Sequence, residues 1–472
     1  MNAEQLAELL GSDWAIERGT SAQAGSLARR LALGLRHLIT GDLIATGTRL
    51  PAERALAQAF HVSRPTITAA LDELRALGLL ESRQGSGTWI ADRGPRPILA
   101  PAMSELVLSD RGINLAAATA ADAAHIGPLR LGPGDLLAGS PAHGYDPIGL
   151  EALRAQIAAR LTRQGLPTDA GELLITSGAH QALALILGAV SERGDRVIVE
   201  EHTYGGFLDL LAVARARPVS LPRDGEGPCP DALDRALRRS RRRLVYLTPS
   251  IHAPTGARTT DGRRRELARV LDRHEALVVA DETLADLHDG ERAPSLAALC
   301  SAAAVLTVES LSKSVWGGLR IGWIRAPRAL RESLLRYRAH VDLGTALPAK
   351  HVAVQIVARL DRLLAGRNAE LRHKAAHLRG LLTAQLPDWS VPMPDGGLCL
   401  WARLPLDDTA GYVDAAAREG VAVMSGSVAH AHRGVDAHIR ICFDRSLHIL
   451  DEAAERMAAA WDRGESRFGM PA

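Results

Sequence analysis

Apolar residues recur at helical spacing early in the chain, and the rhythm changes near residue 115. Leu27, Leu31, Leu35 and Leu38 share one side of a helix predicted from about Ser26 to Thr40. Pro51 opens a short second helix, where its missing N–H is no loss. Ser63 is a natural N-cap for a third helix that tolerates Pro65 in its first turn. Ile67, Ala70, Leu71, Leu74 and Leu77 form the buried stripe of that helix, and Arg64, Thr66 and Thr68 lie opposite. Gly78 ends it. Leu80–Arg83 and Thr88–Ala91 then flank Gln84-Gly85-Ser86-Gly87, a turn suited to a hairpin. Helix, helix, turn, helix and hairpin make a winged helix-turn-helix, with a small helical packing module as the plainer alternative.

Beyond about residue 115, short β-branched runs alternate with helical stretches. Strands are predicted at Leu173–Thr176, Arg196–Glu200, Pro218–Leu221, Leu244–Leu247, Ala276–Ala280, Ala304–Val308 and Ile321–Arg325. Helices are predicted between them at His180–Glu192, Asp231–Arg239, Asp261–Arg273 and Arg328–Arg338. Apolar strands alternating with helices predict an α/β unit with a mainly parallel sheet covered on both faces. The last hundred or so residues mix the two less regularly and predict an α+β small domain. The expected division is a segment over 1–25, the winged unit over 26–92, a linker over 93–114 and the large unit over 115–460, its small subdomain starting near 345. The linker is expected because three prolines fall among polar residues in 91–112.

Composition changes this picture little. The chain has 472 residues and is 47% hydrophobic and 23% charged, as in folded proteins. A net charge of +2 excludes a protein that coats nucleic acid by bulk charge. The winged unit itself carries eight arginines against six acidic residues. No stretch of apolar residues is long enough to span a membrane, and the acidic N-terminus lacks the basic start of a signal peptide. Cys229, Cys300, Cys399 and Cys442 are scattered, so neither a disulfide framework nor a zinc site is expected, and a cytoplasmic protein is. Lysine occurs only at Lys313, Lys350 and Lys374, beside 53 arginines. Chemistry that needs a primary amine therefore has three candidates.

Lys313 has the setting for it. In SLSKSVWGGLRIGW it follows a predicted strand, where a lysine entering a cleft can form a Schiff base with an aldehyde. Ser310, Ser312 and Arg320 around it suit that aldehyde's phosphate. In ITSGAHQAL, Ser177, Gly178 and Ala179 present backbone N–H groups at a helix start, an anion site in its own right. In VVADETLADL, Asp281 ends a buried strand, where a carboxylate can pair with a pyridinium nitrogen or simply cap a helix. Lys374 reads as a solvated helix position, and the run Arg238–Arg243 as a solvated turn. His373 and His377 lack a third ligand, and His430 and His432 read as surface, so no metal site is expected.

The strings GTRLPAERALAQAF, HVSRPTITAALDELRALGLL and ESRQGSGTWI resemble the GntR-type DNA-binding domain over nearly its whole length. The resemblance implies binding of double-stranded DNA through Arg54, Arg64, Thr66 and Gly85. Ser63 caps its helix and reaches a phosphate, and Thr68 adds a hydroxyl on the same face. The three motifs around Lys313, Ser177 and Asp281, in that fold order, resemble pyridoxal 5′-phosphate enzymes of the aspartate aminotransferase fold over residues 115–460. That likeness implies a type I aminotransferase fold with Lys313 as the cofactor lysine. It places Tyr145, in YDPIGLEALR, on the phosphate of a neighbouring subunit and Tyr204, in VEEHTYGGF, on the cofactor ring. It places Arg440, in HIRICF, on a substrate α-carboxylate, and matches DGGLCLW to the start of the small domain.

The chain departs from the enzymes at two points. Ala253 stands where they have Asn, and Leu284 where they often have Tyr, so two donors to the cofactor's phenolic oxygen are missing. His252 is the expected substitute. A GntR-type head on such a body resembles the MocR subfamily of bacterial transcription regulators. The resemblance implies a cytoplasmic homodimer that binds operator DNA and senses an amine or amino acid through an external aldimine, with at most weak transaminase activity. The alternatives are a working aminotransferase with a DNA-binding appendage and a sensor of pyridoxal phosphate itself that controls vitamin B6 metabolism.

Overall fold

The structure is a computed structural model that describes residues 2–10, 27–40, 44, 47–76, 79–83, 87–91, 112–120, 122–135, 138–139, 141, 143–432 and 434–463. The chain divides into two compact units, Met1–Leu99 and Ala100–Ala472. Among the described residues, no helix is long and apolar enough to cross a membrane.

The first unit contains α1 (Ala3–Leu10), α2 (Leu27–Thr40), α3 (Glu53–Ala59), α4 (Arg64–Ala76), β1 (Leu80–Arg83) and β2 (Gly87–Ile90). Leu31, Leu35, Leu38, Ile67, Ala70, Leu71 and Leu74 meet in one core, as the helical spacing requires. Leu6 of α1 is fully buried in that core too, so the amphipathic start of the chain packs on the winged unit. The second helix begins at Glu53 with Ala52 as its cap, two residues beyond Pro51. Ser63 caps α4, its Oγ accepting from the Thr66 amide at 3.3 Å. Strands β1 and β2 pair antiparallel from Leu80↔Ile90 to Arg83↔Gly87. Gly78 and the hairpin residues 84–86 lie outside the described residues.

The second unit is built on seven strands: β3 (Leu173–Thr176), β4 (Arg196–Glu200), β5 (Arg217–Leu221), β6 (Leu244–Leu247), β7 (Leu277–Asp281), β8 (Ala304–Ser310) and β9 (Gly322–Arg325). Their order across the sheet is β3-β9-β8-β7-β6-β4-β5. Alternation within the strands explains their nearly continuous apolar sequences. Val199, Tyr246, Val279 and Leu306 pack into one buried cluster, while Ile198, Val245, Val278 and Val305 pack into another. The sheet is mixed rather than wholly parallel: β9 runs antiparallel to both β8 and β3. The segment joining β8 to β9 holds only two single helical turns, too little for the crossover that a parallel neighbour needs.

A smaller sheet of β10 (Cys399–Arg403), β11 (Met424–Ser425) and β12 (His438–Cys442) is ordered β10-β12-β11 and antiparallel. It packs with the helices Leu360–Gln385 and Leu447–Asp462 in one further core. The ends of β3, β7 and β8 and the start of the helix α5 (Ala179–Val190) carry the residues of interest.

Candidate functional site

Lys313 sits in the single helical turn Leu311–Ser314 that follows β8. Ser310 shapes this turn: its Oγ accepts from the Ser312 amide at 3.0 Å and donates to the Ile321 carbonyl at 3.0 Å. The Lys313 ammonium donates to the Ala118 carbonyl. Burial, and next the positive charge of Arg440, push its pKa below the ordinary lysine value. A lysine held this way is more readily neutral, as a nucleophile must be.

The helix start at residues 177–179 is shaped by Arg320, and the Ser177 amide donates to Gln181 Oε1 at 2.6 Å. Gly178 caps α5 at a φ of +94°, a conformation that glycine adopts without strain. Arg320 has a φ of +52°, and its Nη2 donates to the Ser177 carbonyl. The structure thus brings Ser177, Gly178, Ala179 and Arg320 together at a helix N-terminus. Ser177 also offers its hydroxyl 3.4 Å from Thr345 Oγ1. Ser312 Oγ lies 3.0 Å from Ser310 Oγ.

Asp281 ends β7, buried, with its Oδ1 accepting from the Thr283 amide at 3.0 Å. Its Oδ2 accepts from the Tyr246 hydroxyl at 2.8 Å. Burial raises its carboxyl above the usual range against the pull of these hydrogen bonds. Sequence reasoning missed Tyr246. Its one signal was a phenol inside the apolar run LVYL, since a buried hydroxyl needs a partner. Tyr204 caps the helix α6 (Gly205–Val213), and its hydroxyl lies 3.4 Å from His180 Nδ1. Burial pushes its pKa up to about 12.

Arg440, on β12, donates from Nη2 to the Ala116 carbonyl at 2.6 Å. Its Nε is buried with no hydrogen-bond partner. A buried guanidinium with an unpaired N–H suits a carboxylate. Tyr145 stands apart from these groups, 59% exposed.

Several other expectations change. His252 is fully buried, and both of its ring nitrogens are engaged, Nδ1 with Thr255 Oγ1 and Nε2 with the His202 carbonyl, each at 2.8 Å. It has no free nitrogen to replace the missing donors. Lys374 is not a solvated position: its ammonium pairs with Glu370 and with the fully buried Asp444. Lys350 is buried against Asp146 at 2.6 Å. His430 is not plain surface either, since its ring centroid lies 5.2 Å from that of His202. The arginine run stays exposed as a solvated turn should, while Arg238 pairs with Asp234, Arg242 with Glu192 and Asp195, and Arg243 with the His274 carbonyl.

On the first unit, Arg54 and Arg64 are exposed around a groove that Arg49, Glu53, Gly87 and Thr88 also line. Arg64 Nε lies 3.5 Å from Glu53. Arg49 was missed by sequence reasoning, although it stands in the string GTRLP. The Ser63 and Thr66 hydroxyls are 2.7 Å apart at the exposed start of α4. The Thr68 hydroxyl donates within the unit, to Glu53 or the Arg64 carbonyl at 3.1 Å. Gly85 lies outside the described residues.

The residues of the large unit fit pyridoxal 5′-phosphate on two observations: a helix start at Gly178 closed by Arg320, where a Cβ would meet the guanidinium, and a buried Arg440 Nε without a partner. Comparisons with known proteins agree. Residues 113–457 match the family model for aminotransferase class I and II, and residues 27–90 that for bacterial regulatory proteins of the gntR family. An HTH-type transcriptional regulator of Bacillus subtilis, YisV, is 29% identical over 76% of this chain and 80% of its own. The 2-aminoadipate transaminase of Thermus thermophilus is 30% identical over 64% of this chain and 76% of its own. The crystal structure of the α-aminoadipate aminotransferase LysN from Thermus thermophilus, complexed with N-(5′-phosphopyridoxyl)-L-leucine, superposes with a TM-score of 0.70 at 25% identity, covering 78% of this chain and 96% of that one. The fold is that of pyridoxal 5′-phosphate-dependent aminotransferases. The chain therefore belongs to the aminotransferase class I and II family and carries a gntR-family helix-turn-helix unit ahead of that domain, the MocR-type architecture of HTH-type transcriptional regulators.

Proposed function

We propose that this regulator holds pyridoxal 5′-phosphate at Lys313 and reads an amine or amino acid against Arg440, and that occupancy changes its affinity for an operator. The observation that carries this reading is the buried, unpartnered Nε of Arg440, whose charge also acts on Lys313. When bound, the cofactor supplies an aldehyde for a primary amine and a ring that draws electrons. The chain's own groups do the rest. Ser177, Gly178, Ala179, Ser310, Ser312 and Arg320 hold the phosphate. Asp281, steadied by the Tyr246 hydroxyl, would pair with the ring nitrogen, and Tyr204 would lie against the ring. Arg440 receives the carboxylate of an amino-acid ligand. The ligand acts on DNA binding through different affinities for two states of the protein.

Arg54, Arg64, Ser63 and Thr66 contact the DNA, with the hydroxyl of Thr68 and the wing residue Gly85 as further candidates. In a cytoplasmic homodimer, the exposed Tyr145 would serve the second copy's site. The deciding experiment is an absorbance titration of the purified protein with candidate amines and amino acids beside an operator-binding assay. A ligand that changes the cofactor spectrum and the operator affinity together supports the reading. An operator affinity that follows pyridoxal phosphate alone replaces it with a sensor of the cofactor.

A second reading, a working aminotransferase, draws on the likeness to the Thermus transaminase and on the retained Lys313, Asp281 and Arg440. Against it, Ala253 and Leu284 offer no donor, and His252 is engaged elsewhere. Fast, stoichiometric conversion of the cofactor to pyridoxamine phosphate in a single turnover decides for the enzyme.

A further inference from the structure

His202 and His438 face one carboxylate across the join between the large and small sheets. His202 follows β4 in the turn that leads to Tyr204, while Asp436 and His438 stand at the start of β12. His202 Nε2 bonds one oxygen of Asp436, and His438 Nδ1 bonds the other at 2.8 Å. One ligating atom from each of the three lies within 4.8 Å of the others. The carboxylate is 5% exposed and the imidazoles 21% and 27%, so the group is anchored yet open to solvent on one side.

The surroundings are shaped for it. Trp401 stacks on His438 with ring centroids 5.1 Å apart and meets His202 edge-on at 5.3 Å, which fixes both imidazole planes. The Asp436 carbonyl accepts from the amide and hydroxyl of Thr409 at 3.0 and 3.2 Å. A Cβ on Gly426 would fall 2.5 Å from Asp436 Oδ1, so glycine there leaves the carboxylate its space.

We propose that His202, Asp436 and His438 bind a divalent transition-metal cation of the Zn²⁺ class, with water completing the coordination. Two imidazole nitrogens and one carboxylate oxygen are a borderline donor set that suits zinc or cobalt over calcium or magnesium. The ion takes the place of the two N–H protons now aimed at Asp436. The single proton of each neutral imidazole moves to its other ring nitrogen as the ion binds, so none is released overall. His430 stays out of the set: its Nδ1 accepts the His432 amide, which puts its proton on Nε2. The site has a structural consequence. His202 lies two residues before Tyr204, and His438 two residues before Arg440 on the same face of its strand. The turn of His202 also meets the segment ahead of β12, Thr203 donating to the Ala429 carbonyl at 2.8 Å and Ala431 to the Glu201 carbonyl at 2.7 Å. A bound ion clasps the strand of Arg440 to the turn of Tyr204.

The test is a titration of the metal-stripped full chain with Co²⁺, followed by its visible absorption and by equilibrium dialysis, then displacement with Zn²⁺. One Co²⁺ per chain, displaced by Zn²⁺, is expected. His202→Gln and His438→Gln should each weaken binding roughly 10- to 100-fold or more. His377→Gln, which removes a separate imidazole–carboxylate pair with Asp451, should leave it unchanged. X-ray absorption of the Zn²⁺-loaded wild-type chain, showing two imidazoles on the ion, carries the same test without any substitution. No bound Co²⁺, or binding indifferent to both histidine substitutions, overturns the proposal.

Discussion

The guanidinium of Arg320 closes over the backbone of Gly178, so that a Cβ on Gly178 would stand 3.0 Å from Arg320 Nη2. Both residues hold a positive φ, and the pair frames the helix start where the phosphate is proposed to sit. Gly178→Ala adds a side chain at a φ that costs about 1–2 kcal/mol and pushes on the arginine. Affinity for pyridoxal phosphate, measured by equilibrium dialysis, should fall roughly 5- to 30-fold. Unchanged affinity would place the phosphate elsewhere.

Among the described residues Lys313 has no carboxylate partner, whereas Lys350 and Lys374 pair with Asp146, Glu370 and Asp444. Lys313→Ala should abolish covalent retention of the pyridoxal after borohydride reduction, read by mass spectrometry. Lys374→Ala should leave that retention intact but destabilise the fold, because Asp444 is buried.

The pH dependence of cofactor attachment follows from the same lysine. Burial and the Arg440 cation depress its pKa, so the neutral, attacking form is present at lower pH than for an exposed lysine. Arg440→Gln removes a like charge, which raises that pKa and moves the rising limb of attachment rate to higher pH. Arg440→Lys keeps the charge and should leave the limb nearly in place while losing the planar grip on a carboxylate. Trapping rates across pH check both, and a limb that ignores Arg440→Gln counts against the arrangement.

Arg64 is exposed at the start of α4, its Nε 3.5 Å from Glu53. Arg64→Ala should weaken operator binding by about 1–3 kcal/mol, measured by electrophoretic shift on a duplex selected from a random pool. Pyridoxal-phosphate affinity of the same variant should equal that of the wild type.

Leu74 is fully buried in the core of the first unit. Leu74→Ala should cost that unit about 2–5 kcal/mol. Loss of operator binding on warming, at temperatures where the cofactor spectrum of the second unit persists, is the expected record in parallel melts.

The elements of both units were legible in the sequence because periods of 2 and 3.6 are local. Leu31 to Leu38 and Ile67 to Leu74 announced two helices by spacing alone, and the seven strands fell within a residue or two of their observed ends. Scarcity singled out the candidate amine, and the strings around Ser177, Asp281 and Arg440 singled out those candidates. The direction of β9 was not, because an apolar strand has the same pattern whichever way it runs. Its short connection from β8, seated among formed neighbours, decided the matter.

Pairings across long stretches of chain were decided by tertiary structure alone. The Tyr246 hydroxyl finds Asp281 across 35 residues, and His202 finds Asp436 across 234. His252 was available on paper and is spent on Thr255 and the His202 carbonyl in the fold. Spacing and composition determine which segments form helices and strands and which side chains carry chemistry. Which polar group satisfies which is settled by packing, since a buried donor or acceptor must take a partner wherever the sheets bring one.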